Sequence, residues 1–92
     1  MFRIWIKTMK NNRVEKSTVI EIGDPNMTRT HKVYKALEDA CKEFDLAVPY
    51  WLDINKKEFL SNSQTRFTPD SFPESVDFDY LDFRLIEDDS FY

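Results

Sequence analysis

The chain has 92 residues, of which 41% are hydrophobic, 15% aromatic and 33% charged, with a formal net charge of −4. This composition fits one ordinary globular domain with one modest core, and excludes a disordered polymer. A single glycine and a single cysteine exclude Gly-rich phosphate loops and an internal disulfide, and no apolar run approaches the ~18 residues of a membrane helix.

Phe2, Ile4 and Ile6 alternate with Arg3, Trp5 and Lys7, which predicts a first strand. Met1 leads straight into it without the charged and apolar regions of a signal peptide, so the cytoplasm is the expected compartment. Thr18, Ile20 and Ile22 alternate with Ser17, Val19 and Glu21, a second strand. Between them the chain is polar, and asparagine tolerates the left-handed backbone of a hairpin turn. Two registers compete. A two-residue loop at Asn11 and Asn12 sets Ile4 beside Val19. A three-residue loop that includes Arg13 pairs Phe2 with Ile22, Ile4 with Ile20, Ile6 with Thr18 and Arg3 with Glu21. The second gathers the aliphatic side chains on one face and is preferred.

Gly23-Asp-Pro-Asn26 breaks the chain, and Thr28 or Thr30 can cap the helix that follows. Val33, Ala36, Leu37, Ala40, Cys41 and Phe44 form its apolar stripe, and it should stop near Asp45, before Pro49. Tyr50-Trp-Leu-Asp53 reads as a short strand, residues 55–60 as one or two helical turns, and residues 61–73 as a long irregular connection anchored by Phe67 and Phe72. Val76, Phe78 and Tyr80 alternate in one phase, and Leu81, Phe83 and Leu85 in the other. That switch predicts a bulge or sharp bend at Tyr80-Leu81 in the last strand. The expected fold is α+β: an N-terminal hairpin, one main helix on one face of a mixed sheet, a short strand and a long C-terminal strand. With its end strands parallel at the sheet centre, this order resembles the ubiquitin-like β-grasp arrangement. A second full helix, as a ferredoxin-like fold needs, is not expected.

Charge divides along the chain. Residues 69–92 sum to −7 and residues 1–68 to +3. The main helix also opposes its own macrodipole, with Arg29, His31, Lys32 and Lys35 in its first half and Glu38, Asp39 and Glu43 in its second. A functional reading makes Arg29, His31 and Lys32 an anion site; the structural alternative folds Asp88, Asp89 or Asp24 over them. Trp5 and Val19, with Ile86, would share the sheet face away from the helix, either as a partner site or covered by Phe67 or Phe72. Trp51 is read as a core or rim residue. The basic hairpin, with five bases and one acid over residues 3–16, has some of the composition of a nucleic-acid surface, but the overall acidity opposes that partner.

The sequence offers little catalytic chemistry. His31 is the only histidine, and Cys41 lies ~15 Å further along the helix axis, so neither a metal site nor a Cys-His pair is expected. Cys41 is read as a core residue. Asp77 and Asp79 alternate to one face and Asp82 to the other, which suits a charge-protected strand better than an acid–base pair. No cofactor, metal or enzyme activity is expected.

Thr28-Arg-Thr-His-Lys-Val33, Ala36-Leu-Glu38, Glu43-Phe-Asp-Leu46, Trp51-Leu-Asp53, Thr65-Arg-Phe67 and Asp77-Phe-Asp-Tyr-Leu81 together resemble a group of small clostridial-type bacterial proteins with no assigned activity. The resemblance implies a bacterial cytosolic source and nothing catalytic. The β-grasp likeness does not choose among functions either.

The leading functional expectation is a non-enzymatic module that binds another protein, or a second copy of itself, through Trp5 and Val19 or through a basic helix start formed by Arg29, His31, Lys32 and Arg66. A second is an acidic inhibitor or nucleic-acid mimic, of a kind mobile elements encode, that uses Asp77, Asp79 and Asp82 against a nucleic-acid enzyme. A third is an anion or nucleotide binder at the helix start. Nucleic acid and membrane are not expected partners.

Overall fold

A computed structural model of the protein describes residues 1–88. The chain runs β1 (Phe2–Lys10), β2 (Arg13–Ile22), α1 (Arg29–Phe44), α2 (Asp53–Asn62), β3 (Gln64–Phe67), a single 3-10 turn (Pro69–Ser71) and β4 (Tyr80–Glu87). The α+β class is as expected, with an N-terminal hairpin, a main helix and a long last strand. The four strands form one sheet in the order β2-β1-β4-β3, and every pairing is antiparallel.

The antiparallel centre corrects the mixed sheet expected with parallel end strands. Its cause is local. The Asp79 N–H donates to the Met9 carbonyl at 2.8 Å, and the Asn11 N–H donates to the Asp79 carboxylate at 2.9 Å. These bonds pin the start of β4 to the hairpin tip, where β1 ends, so β4 must run back along β1. The phase switch in the last strand is also resolved differently. The chain bends at residues 77–79, ahead of the strand, and β4 then runs regularly through Tyr80 and Leu81. The bulge lies at the other end, where Ile86 is the extra residue between the Ile4–Leu85 and Arg3–Glu87 pairs.

The hairpin combines features of both competing registers. Asn11 and Asn12 form a two-residue turn with φ of 53° and 65°, the left-handed pair that such a turn requires. A bulge at Glu15 then shifts the pairing by one, so Phe2 faces Ile22, Ile4 faces Ile20 and Arg3 faces Glu21, as the aliphatic pattern demanded.

Thr28 caps α1, its hydroxyl accepting the His31 N–H at 3.2 Å. Asp45 ends the helix in the left-handed region at φ 59°, and its N–H returns to the Lys42 carbonyl. The whole apolar stripe of α1 is buried, Cys41 included. Lys16 reaches across from β2 to donate to the Phe44 carbonyl at 3.1 Å, placing a cation on the negative end of the helix.

The region after α1 departs most from expectation. Residues 50–52 lie outside any strand, α2 is a ten-residue helix, and the segment expected to be irregular contains the edge strand β3. Asn55 explains the arrangement. It is buried, its Oδ1 accepts the Leu52 N–H at 3.1 Å, and its Nδ2 donates to Thr65 Oγ1 and to the Arg66 carbonyl, both at 2.9 Å. One side chain thus starts α2 and ties it to β3. Trp51 fills the corner beneath as a partly buried core residue, edge-on to Phe59, Phe67 and Phe83 at 5.9, 5.0 and 5.8 Å between ring centroids.

Candidate functional site: the sheet face away from the helices

Both helices pack on the face that carries Phe2, Ile4, Ile6, Leu81 and Phe83. Alternation sends the intervening side chains to the opposite face, where they line up in rows across the strands. One row runs Gln64, Arg84, Trp5, Val19; the next runs Arg66, Asp82, Lys7, Ser17. Phe67 packs on Trp51 and Phe83, and Phe72 on Phe78, so neither provides the cover considered for this face. Val19 is 46% exposed, and Ile86, at its bulge, is exposed as well.

Trp5 is half-buried and fixed in place. Its Nε1–H donates to Ser17 Oγ at 2.8 Å, and Lys7 Nζ lies 4.1 Å from the ring centroid. Arg66 belongs to this face rather than to the helix start, a correction that follows from β3 being a strand. Its guanidinium lies 4.4 Å from the centroid of Tyr80. Asp82 is the buried centre of the charges here, with Lys7 Nζ at 3.7 Å and an Arg84 nitrogen at 3.9 Å. Arg3 bridges Glu21 at 2.9 Å and Glu87 at 3.2 Å along the edge of the face. Met9 and Tyr80, also cross-strand partners, extend the surface towards the hairpin tip.

The other predicted residues are dispersed. Arg29 Nε meets Asp88 at 3.0 Å, the neutralisation considered from the sequence; Asp89 lies outside the described residues. Lys32 is buried, its Nζ 5.6 Å from the Phe2 ring centroid, instead of standing beside Arg29 at an open helix start. His31 is exposed. Asp77 is exposed beside Lys10 at 3.9 Å, and Asp79 holds the hairpin tip. The three carboxylates therefore form no common surface, and no group of three His, Cys, Asp or Glu side chains converges among the described residues. Sequence reasoning did not single out Tyr80, Lys7 and Arg84, because their shared rows depend on a strand pairing that was read the other way.

Comparison of the chain with protein-family models, with curated proteins and with solved structures gave no match. No helix among the described residues is long and apolar enough to cross a membrane. Any functional reading therefore starts from the surface itself.

Proposed function

We propose that the protein is a small, non-enzymatic protein-interaction module whose contact surface is the sheet face built on Trp5, Val19, Lys7, Arg84, Arg66 and Tyr80. The observation that carries this reading is a Trp held half-buried by its own neighbours beside an exposed Val, on a face that neither helix covers. Such a pre-ordered aromatic, ringed by arginine and lysine, is the chemistry of an interface centre with a polar rim. The helix start supports the reading less well, since Arg29 is engaged by Asp88 and Lys32 is buried. The cytoplasm as compartment and a place among small clostridial-type bacterial proteins belong to the same proposal.

The test is a binding comparison of the wild type with Val19→Asp, with Leu60→Asp on the helix side as control. Capture from bacterial lysate and analytical ultracentrifugation would read hetero- and self-association. Partner or dimer lost in Val19→Asp and retained in Leu60→Asp supports the sheet face. An interaction indifferent to Val19→Asp but sensitive to Leu60→Asp moves the site elsewhere.

A further inference from the structure

On the other side of the molecule, residues of α1 and α2 line an open cleft of about 210 Å³. Its walls are Tyr34, Trp51, Phe59 and Leu60, and its rim carries Arg29 and Lys56; among the described residues no carboxylate is part of its lining. Tyr34 meets Trp51 edge-on at 5.9 Å, and Trp51 meets Phe59 at the same distance, so three rings form a continuous apolar floor. Leu60 is 81% exposed at the mouth, a large apolar side chain with little to cover it. The Arg29 guanidinium lies 5.7 Å from the Phe59 ring centroid and closes one end.

We propose that this cleft binds a small monocarboxylate with an aromatic or branched apolar body. Three features select that chemistry. The volume is below the ~300 Å³ where sites for drug-sized ligands begin, which limits the guest to about one ring and a short chain. The floor offers ring faces and edges to an apolar body. Among the described residues the charged groups lining the rim, Arg29 and Lys56, are both cations, and the chain already shows what that rim accepts: Asp88 places a carboxylate on Arg29 Nε at 3.0 Å. Lys56, the second rim cation, has no ion-pair partner among the described residues, and a guest carboxylate would pair there while its body lies on Trp51. Pocket and sheet face lie on opposite sides of the sheet, so failure of either reading leaves the other standing.

The test uses the full chain, with phenylacetate as probe and phenylacetamide as its uncharged counterpart, followed by nitrogen–proton correlation spectra. Trp5 and Trp51 are the two tryptophans, one in each surface, so their indole signals report the sites separately. The expected result is a saturable shift of the Trp51 indole with a Kd of about millimolar order, the scale for a ten-atom ligand. Phenylacetamide should bind roughly five-fold more weakly, on the scale of one partly exposed ionic contact. Lys56→Gln, at an exposed position, should remove that preference. No saturable Trp51 shift, equal binding of acid and amide, or an unchanged preference in Lys56→Gln would each overturn the proposal.

Discussion

Asn55 and Thr65 join helix to strand inside the protein. The Asn55 Nδ2–H donates to Thr65 Oγ1 at 2.9 Å, and that hydroxyl in turn donates to Glu58 Oε1 at 2.7 Å. Because Asn55 also bonds the Leu52 N–H and the Arg66 carbonyl, its removal would leave several buried polar groups unpaired. Asn55→Ala should lower unfolding stability by about 2–4 kcal/mol. Asn55→Asp keeps the volume but turns a carboxylate oxygen towards the Arg66 carbonyl, and should cost at least as much. Urea denaturation of both variants checks this; a near-neutral Asn55→Asp would show that shape, not hydrogen bonding, matters there.

Cys41 gives stability a specific alkaline limit. Burial pushes its thiol up to about 11, because a thiolate in the core loses its hydration. The sign follows from linkage. Well below ~8.5, the ordinary thiol pKa of the unfolded chain, both states are protonated and the contribution is intact. As pH rises towards 11 the unfolded chain releases its proton while the folded one keeps it, so stability falls by an amount on the order of 3 kcal/mol. The difference between the wild type and Cys41→Ala, followed by denaturant titration across that range, should isolate this slope from tyrosine and lysine ionisation. A thiol reagent near neutral pH should label Cys41 only as fast as the protein opens.

The hairpin turn is open to improvement. Asn12 sits at φ 65°, where any side chain other than Gly, Asn or Asp is strained. Asn12→Gly should be neutral or stabilising by about 0.5 kcal/mol, and Asn12→Val destabilising by about 1–2 kcal/mol. Thermal melts would read both. Equal losses would mean that the Asn12 side chain, not its backbone angle, is what the turn needs.

Asp88 supplies the negative charge that the first turn of α1 lacks. The Arg29 and Asp88 side chains remain 38% and 27% exposed, so Asp88→Asn should cost only about 0.3–1 kcal/mol. The loss should shrink as salt rises from ~0.02 to ~0.5 M, since exposed charges are screened. A salt-independent loss would identify packing as the cause.

Local patterns in this sequence were dependable where they spanned several residues. The alternation in Phe2, Ile4 and Ile6 and the stripe from Val33 to Phe44 both identified buried faces, and the aliphatic match across the hairpin identified its register even though the turn was shorter than supposed. The errors arose where one side chain outweighs a pattern. Asn55 reads as a polar residue in a weakly amphipathic stretch, yet its bonds to Leu52 and Arg66 build α2 and place β3. Asp79 reads as one more acid in an acidic segment, yet it sets the direction of β4. Direction then decides which residues share the open face, so Trp5 and Val19 were found from β1 and β2 alone, while Arg66 was assigned to the wrong surface. Such long-range bonds leave no periodic trace.

The central pairing of β1 with β4 also governs how this chain acquires its structure. β1 ends at Lys10 and β4 begins at Tyr80, seventy positions later. The β1–β2 hairpin and α1 can form early from neighbouring residues, but Leu81 and Phe83 are missing from the core until the last strand arrives. Closing so long a loop comes before its reward, which places folding towards the slower, millisecond-to-second end for domains of this size. Until then the inner edge of β1 is an unpaired template, and a growing chain must keep it from finding the wrong strand.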